Sequence, residues 1–263
     1  MPYRIDIQSP PGDALDCLLR CGALDVEKGP NGLAAIIPDG VTPETVASAL
    51  GTASIAVSSA IARDNGSVWL LAPRAIQIGR VRIAPSAVDA PPDAVILTDS
   101  MAFGTGHHPT TVLCVEAIQD TVDIAVPDSM LDVGTGSGVL AIAALRLGVP
   151  RAVGLDIDAA ALKIAAANAA MNNLTERLQL TLGGPDVAQG IWPLVVANVL
   201  AAPLIEMAPV LVRRVGHQGR LILSGIPSAL ESEVLRVYQC LGLHLVRSET
   251  RSGWTVLVTQ ASW

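Results

Sequence analysis

The first fifty residues alternate between strand-like and helix-like patterns of apolar side chains. Apolar and polar positions alternate where a half-buried strand is predicted, and apolar positions recur every three or four residues where a helix is predicted. The predicted elements, in order, are a strand at 3–7, a helix at 12–22, strands at 24–28 and 32–37, and a helix at Pro43–Leu50 capped by Thr42. This order predicts a small α+β domain of ferredoxin-like type over residues 1–55.

From about residue 97 the pattern changes to a regular alternation of strands and helices. Strands are predicted near 129–133, 151–156, 178–182, 193–198, 219–224 and 254–259. Helices are predicted at about 109–120, 137–147, 159–172, 201–213 and 227–241. The alternation predicts an α/β fold over 97–263, with a doubly wound, mostly parallel, Rossmann-like sheet and right-handed crossovers. Ligands of such sheets bind at the carboxyl ends of the strands.

Residues 56–96 fit neither pattern and are predicted to connect the two domains. They hold two strand-like pieces, 67–72 and 76–83, between prolines and glycines. Composition predicts a core of small aliphatic side chains, because 51% of the residues are apolar but only one Phe and two Tyr are present. Such a core suits a parallel sheet that is covered by helices on both faces.

Charge, cysteine content and the lack of a membrane-spanning pattern indicate which partners, metals and cellular location to expect. The formal net charge is −7, and the 17 Lys and Arg residues form no cluster, which disfavours direct nucleic-acid binding and favours a basic protein partner. The four cysteines lack the second ligand pair that a metal site needs, so no metal is expected. Neither a membrane span nor a leader pattern is visible, so a cytosolic location is expected.

A glycine-rich turn, Asp132-Val-Gly-Thr-Gly-Ser-Gly138, follows the first predicted strand of the large domain. Glycines let the backbone turn tightly and approach a ligand, and this G-x-G-x-G spacing differs from the G-x-G-x-x-G spacing of dinucleotide sites. Asp132 would repel a pyrophosphate and attract the ammonium group of a methionine moiety. The turn, including Gly136, therefore predicts a site for S-adenosyl-L-methionine. A plain turn between strand and helix is the alternative.

The next predicted strand ends in Gly154-Leu-Asp-Ile-Asp158. Asp156 lies 22 residues after Gly134, about the distance at which an acid reaches ribose hydroxyls in nucleotide-binding folds. A carboxylate can accept both hydroxyl protons in charge-assisted hydrogen bonds. Asp158 is predicted to cap the following helix.

A polar residue, Asn198, ends the fourth predicted strand of the large domain, where the reacting group of a substrate should lie. Its amide can accept a hydrogen bond from a substrate N–H and so orient the nitrogen. Val199 and Leu200 provide no aromatic surface for a planar base, which favours a flexible aliphatic amine. Alternatively, Asn198 only caps the helix predicted to begin near Ala201.

Upstream lies a loop with two glycines and two histidines, Met101-Ala-Phe-Gly-Thr-Gly-His-His-Pro-Thr-Thr111. Phe103 is the only Phe of the chain, and its ring could attract a sulfonium by a cation–π interaction. Pro109 suits the first position of a helix. His107 and His108 either orient the loop and cap that helix or take part in acid–base chemistry.

Four segments together resemble the PrmA family, whose members methylate lysine side chains and the amino terminus of large-subunit ribosomal protein eleven. These segments are Phe103-Gly-Thr-Gly-His-His-Pro-Thr-Thr111, Asp132-Val-Gly-Thr-Gly-Ser-Gly138, Asp156-Ile-Asp158 and Ala197-Asn-Val-Leu200. The resemblance implies a class I methyltransferase fold with a seven-stranded type of sheet. It also implies S-adenosyl-L-methionine as the cofactor and the ribosomal protein as substrate and partner.

The resemblance further implies roles for individual residues. Contacts with the cofactor are implied for Thr111, Gly134, Asp156 and Asn198. Closure over its methionine end is implied for Phe103, Gly104 and His107. Asn198 is the expected catalytic residue.

Two features in the front of the chain depart from the family pattern and concern the substrate. The charged, Trp-rich helix that usually joins the domains is absent around 53–65, and Thr98-Asp-Ser100 replaces the family's Asp-Pro-Gly. The same chemistry on another protein or on a small-molecule amine is therefore an alternative. A second alternative function is a module that binds the cofactor but has no activity. A third, a dinucleotide-dependent oxidoreductase, is disfavoured by the glycine spacing.

Overall fold

The computed structural model describes residues 2–29, 32–52, 54–60, 75–85, 90–98, 108–251 and 253–263. The chain divides into two compact units, Met1–Pro73 and Arg74–Trp263. The segment predicted as a connector, 56–96, is thus shared between the two units. Within the described residues no helix is both long enough and apolar enough to cross a membrane.

The smaller unit has a β-α-β-β-α-β order of elements. These are β1 (Tyr3–Ile7), α1 (Ala14–Arg20), β2 (Asp25–Gly29), β3 (Gly32–Ile37), α2 (Pro43–Leu50) and β4 (Ile55–Ser59). Its strands pair antiparallel in the order β2-β3-β1-β4, which is a ferredoxin-like arrangement. Thr42 caps α2 as predicted, because its hydroxyl accepts a hydrogen bond from the backbone N–H of Thr45 at 3.3 Å.

The core of this unit lies between the sheet and its two helices. Seven of its residues are at most 1% exposed: Ile5, Ile7, Ala14, Leu18, Ala35, Ile37 and Val46. The strand β4 was not among the predicted elements. Val57 at its centre is 50% exposed, so the strand shows no strong apolar alternation in the sequence.

The larger unit begins with a three-stranded sheet made of β5 (Ile76–Ile78), β6 (Val81–Pro85) and β7 (Val95–Leu97). The prediction of a single strand at 76–83 is therefore wrong. The segment is a hairpin, because Gly79, with a φ of 54°, turns the chain between β5 and β6. β7 pairs parallel with β6 and was not predicted. The other strand-like piece, 67–72, lies outside the described residues.

The rest of the larger unit follows the predicted alternation of helices and strands. The elements are α3 (Pro109–Ile124), β8 (Met130–Val133), α4 (Val139–Arg146), β9 (Ala152–Asp156), α5 (Ala159–Met171), β10 (Leu178–Leu182), β11 (Trp192–Asn198), α6 (Ala201–Arg214), β12 (Val215–Pro227), α7 (Glu231–Cys240), β13 (Leu243–Arg251) and β14 (Trp254–Ala261). A short 3₁₀ turn at Ser228–Leu230 precedes α7.

The seven strands of this part form one sheet in the order β10-β9-β8-β11-β12-β14-β13. The first five are parallel, and β14 runs antiparallel to both of its neighbours. The predicted doubly wound α/β fold is confirmed. β13 was missed because it is an edge strand whose side chains are mostly exposed or half-buried, so it has no apolar period.

Both faces of this sheet are covered by helices. Alternate residues of β11 face opposite cores: Leu194 and Val196 contribute to one, and Val195 and Ala197 to the other. The first core includes side chains of α3 and α4, and the second includes side chains of α6 and α7. Because all four residues are fully buried, the strand reads as a continuous apolar run. The order of strands reverses between β8 and β11, so the expected ligand position is at their carboxyl ends.

Candidate functional site

Five of the described site residues lie at one edge of the seven-stranded sheet: Asp132, Gly134, Gly136, Asp156 and Asn198. Val133, the last residue of β8, is in register with Leu155 of β9 and with Ala197 of β11. Asn198, which follows Ala197, pairs with Ser224 of β12. The ends of four adjacent strands therefore meet at the point where the strand order reverses.

The glycine-rich turn after β8 requires its glycines. Gly134, Gly136 and Gly138 have φ values of 72°, 55° and 81°, in the left-handed region that other residues rarely adopt. The backbone N–H of Gly134 donates to the carbonyl of Leu155 at 2.8 Å, which ties the turn to β9. A Cβ on Gly134 would lie 2.5 Å from Cγ1 of Val199, so the turn also closes against the segment after β11.

The side chain of Asp132 is buried below this turn, with 1% of the residue exposed. One carboxylate oxygen, Oδ2, accepts a hydrogen bond from the hydroxyl of Thr135 at 2.7 Å, and Oδ1 has no hydrogen-bond partner among the described residues. Burial raises the pKa of Asp132 to about 6, against the opposing effect of the Thr135 hydroxyl. The carboxylate is therefore mostly ionised at neutral pH, and its free oxygen fits a cationic or N–H donor.

Asp156 ends β9 and joins two backbone segments. Its Oδ2 accepts from the N–H of Gly136 at 2.9 Å, and its Oδ1 accepts from the N–H of Asp158 at 2.9 Å. Each oxygen keeps a second lone pair, so the carboxylate can still accept from a ligand hydroxyl. Asp158 caps α5 as predicted, with Oδ1 accepting from the N–H of Ala160 at 2.8 Å.

Asn198 ends β11 and is 8% exposed. Its side-chain oxygen is buried and has no hydrogen-bond partner in the part of the chain that the structure describes. The alternative that it caps the next helix is wrong: Leu200 occupies the N-cap of α6, and no side chain caps that end. The backbone just beyond Asn198 is held tightly, because Val199 N–H donates to Ser224 at 3.1 Å and a Cβ on Gly225 would lie 2.2 Å from the Val199 carbonyl oxygen.

The first turn of α3 brings Thr111 into the set of buried polar residues. Thr111 is fully buried, and within the described ranges its hydroxyl oxygen has no hydrogen-bond partner. The helix begins at Pro109, as predicted, and His108 is its N-cap, with Nδ1 accepting from the N–H of Thr110 at 3.3 Å. Burial lowers the pKa of His108 to about 4, so the ring is neutral at pH 7. The capping interpretation of His108 is confirmed.

Three of the other predicted residues, Phe103, Gly104 and His107, lie outside the described residues.

Buried oxygens without partners are a common feature of three predicted cofactor residues. They are Oγ1 of Thr111, Oδ1 of Asp132 and Oδ1 of Asn198. Leaving a buried polar group unsatisfied costs about 1–3 kcal/mol, and most buried polar groups have partners. Asp132 and Asn198 lie on adjacent strands beside the glycine turn. Burial, with a smaller contribution from the charge of Asp132, raises the pKa of Cys114, which lies one helical turn from Thr111 on α3. The arrangement therefore fits a ligand that brings hydrogen-bond donors, such as an amino acid moiety.

The sequence patterns missed two groups of residues at this edge. The hydroxyl of Thr135 orients the buried carboxylate of Asp132, a contact that only the folded turn reveals. Ile157 directly follows β9 and is 83% exposed, and Leu182 is the last residue of β10 and is 56% exposed. Leu182 is in register with Asp156, so the two apolar side chains flank the acid that was predicted to bind a ribose. An exposed Ile between two acids, Asp156 and Asp158, was the available signal.

Comparison with known proteins identifies relatives of this arrangement. A family model described as "Ribosomal protein L11 methyltransferase (PrmA)" matches residues 49–262. A protein named ribosomal protein L11 methyltransferase from Pelobacter propionicus is 36% identical over 210 residues, which are 77% of this chain and 68% of that protein. A protein of the same name from Geobacter metallireducens is 45% identical over 172 residues, or 65% of this chain and 56% of that protein.

A solved structure supports the same relationship. The ribosomal protein L11 methylase from Lactobacillus delbrueckii subsp. bulgaricus aligns with a TM-score of 0.66 and 26% sequence identity. The alignment covers 72% of this chain and 100% of that one. The matched part of this chain covers 68% of the Pelobacter propionicus protein and 56% of the Geobacter metallireducens protein. These relatives are therefore longer than the region that they share with this chain.

The raised pKa of Asp132 predicts a distinctive pH dependence of stability. An unfolded Asp titrates near 3.8 and the folded one near 6, so its contribution is fully present below pH 4 and is lost as the pH rises through 6. Between pH 4 and pH 7, Asp132→Asn should gain up to about 3 kcal/mol relative to the unaltered chain. Urea unfolding of both proteins at several pH values measures this difference.

Thr135→Val is the matched control, because it removes the hydroxyl that favours the ionised form. In that variant the pKa of Asp132 should be raised further, so the loss of stability should be larger and should extend to higher pH. Parallel profiles for the unaltered chain and Asp132→Asn would contradict the inferred burial of the charge.

Proposed function

The chain belongs to the ribosomal protein L11 methyltransferase (PrmA) family, and on this premise we propose that it transfers methyl groups from S-adenosyl-L-methionine to amino groups of ribosomal protein L11. The acceptor groups would be lysine side chains and the amino terminus. The observation that carries the proposal is the set of buried, unpartnered oxygens on Thr111, Asp132 and Asn198 beside a glycine turn.

The residues at the strand ends suit the parts of this cofactor. The free oxygen of Asp132 and the hydroxyl of Thr111 would accept from its ammonium group, and the backbone at Gly134 and Gly136 leaves room for its chain. The carboxylate of Asp156 would accept from its ribose hydroxyls. When bound, the cofactor supplies an electrophilic methyl group on a sulfonium.

An apolar surface beside the acid suits a purine ring. Ile157, directly after β9, and Leu182, the last residue of the adjacent β10, are exposed apolar side chains, and covering them would remove apolar area from water. The unpartnered oxygens and this apolar pair support a nucleoside-containing ligand over a bare amino acid.

The acceptor amine must lose its proton before it can attack. A lysine has a pKa near 10.4, so making it neutral at pH 7 costs about 4–5 kcal/mol. Leu200 is 63% exposed next to Asn198, and together with Val199 it provides apolar surroundings that disfavour the ammonium form. The side-chain oxygen of Asn198 would accept from the remaining N–H and align the nitrogen lone pair with the methyl group. In this proposal no strong base is needed.

The proposed substrate is consistent with the charge of the chain. A formal net charge of −7 favours association with a basic protein. We propose that the ferredoxin-like unit contributes to recognition of that protein. The cytosolic location expected from the sequence stays a prediction.

Methyl transfer to ribosomal protein L11 is tested by incubating the purified chain with methyl-labelled S-adenosylmethionine and purified L11. Label should appear on L11, at lysine side chains and the amino terminus located by mass spectrometry. A parallel reaction with a protein-depleted metabolite extract tests small amines, and calorimetric titration with S-adenosylhomocysteine tests binding alone. Labelled metabolites with unlabelled L11 would indicate another substrate. Tight binding without any transfer would indicate an inactive binding module.

The proposed role of Asn198 makes a separate prediction. Asn198→Ala should reduce single-turnover methyl transfer by about 2–4 kcal/mol of transition-state stabilisation, or roughly 30- to 1000-fold, as for the loss of one preorganised polar contact. Affinity for S-adenosylhomocysteine should change much less.

Asp156→Asn is the matched control, since it weakens an acceptor assigned to the ribose. It should lower S-adenosylhomocysteine affinity and retain most of the turnover at saturating cofactor. A normal single-turnover rate in folded Asn198→Ala would remove Asn198 from the reacting centre.

A further inference from the structure

A buried asparagine in the middle of α5 connects two distant parts of the larger unit. Asn168 is fully buried. Its Oδ1 accepts a hydrogen bond from the backbone N–H of Thr98 at 2.8 Å, and its Nδ2 donates to the backbone carbonyl of Ser137 at 2.8 Å. Thr98 directly follows β7, and Ser137 lies inside the glycine turn. One side chain thus joins the turn to a segment almost forty residues earlier.

A second asparagine one helical turn later binds only the first of these two parts. Asn172 accepts from the N–H of Ile96 at 2.9 Å and donates to the carbonyl of the same residue at 2.7 Å. β7 pairs with β6 on its other edge, so Asn172 and Asn168 satisfy backbone groups along the edge that β6 leaves open. Supporting the edge of β7 is therefore a role that both residues share.

The contact with Ser137 distinguishes Asn168 from Asn172. Ser137 stands between Gly136 and Gly138, both of which have positive φ. Glycine backbones have many accessible conformations, so a turn with three glycines needs fixed contacts to hold a single one. The hydrogen bond from Nδ2 of Asn168 to the Ser137 carbonyl is such a contact. It ties the turn to α5, whereas the bond from Gly134 N–H to the Leu155 carbonyl ties it to β9.

We propose that Asn168 is a positioning residue for the cofactor site: its amide fixes the Ser137 carbonyl and thereby the glycine turn. The inference rests on the proposed function, because it takes the turn to be where the cofactor binds. It goes beyond that function in assigning the shape of the turn to a residue that does not line the site. A purely structural role, in which Asn168 supports β7 as Asn172 does, is the alternative.

Paired variants separate the two roles. Asn168→Ala and Asn172→Ala each remove buried hydrogen bonds to the β7 segment, so both should lower the melting temperature. Only Asn168→Ala should weaken S-adenosylhomocysteine binding, by about tenfold for one lost bond of about 1.4 kcal/mol. Asn172→Ala should bind within about twofold of the unaltered chain. Calorimetric titration of the folded proteins measures both affinities.

Asn168→Asp tests which half of the amide matters. Its carboxylate keeps an acceptor for Thr98 N–H but has no donor for the Ser137 carbonyl. This variant should therefore lose affinity as Asn168→Ala does. Binding equal to that of the unaltered chain in both folded Asn168 variants would overturn the proposal, as would equal losses in Asn168→Ala and Asn172→Ala.

Hydrogen exchange provides a readout that needs neither activity nor a substituted residue. In the unaltered chain, saturation with S-adenosylhomocysteine should slow exchange of the Thr98 amide several-fold, because Asn168 couples it to the turn. Unchanged exchange at Thr98 despite binding would count against the proposal.

Failure of the proposed function would look different. If the unaltered chain does not bind S-adenosylhomocysteine, the cofactor assignment fails. The turn amides of Thr135 and Gly138 should still exchange faster in Asn168→Ala than in Asn172→Ala if Asn168 positions the turn, and equal rates would reject that role.

Discussion

The tie between the glycine turn and the end of β9 is the constraint on which the site depends. Gly134 N–H and Thr135 N–H both donate to Leu155 O, and the positive φ of Gly134 turns the chain between these two donors directly after a buried strand. The tight return leaves space for Val199 against Gly134 and brings Asp132 beneath the turn. A side chain at position 134 would displace Val199 and, with it, the backbone that follows Asn198. The backbone conformation at Gly134 thus sets the geometry at the ends of both β8 and β11.

The same edge contains groups that lower the stability of the chain by itself. Asp132 is buried and has a raised pKa, and the buried oxygens of Thr111 and Asn198 have no hydrogen-bond partner among the residues that the structure describes. A core built for stability alone would satisfy or omit such groups. Their concentration at the switch point of the sheet, among otherwise aliphatic surroundings, is explained by a ligand that completes their hydrogen bonds. Preorganised acceptors of this kind bind without having to reorganise first.

The sequence was sufficient for elements with strong periodicity and for residues whose role is local. The central strands, the helices and the caps at Thr42 and Asp158 follow from apolar pattern and short-range hydrogen bonding. β13 was missed because an edge strand with exposed side chains has no apolar period, and β7 because three residues are too few to show one. The cap interpretation of Asn198 failed although the start of the helix near Ala201 was predicted correctly, because Leu200 occupies the N-cap and a cap at 198 would require the helix to begin two residues earlier.

Long-range polar contacts are the part of the site that pattern does not predict. Asn168 lies in an alanine-rich helix, where an asparagine looks like an unremarkable surface residue, and its partners are 70 and 31 residues away. Asn168 lies inside α5, where asparagine is disfavoured because its amide competes for the backbone, whereas Asn172 is the C-cap of that helix. A buried amide must find partners, and those of Asn168 belong to the end of a strand and to a turn. An asparagine in the interior of an otherwise apolar helix is therefore a sequence signal for a polar contact with another part of the chain.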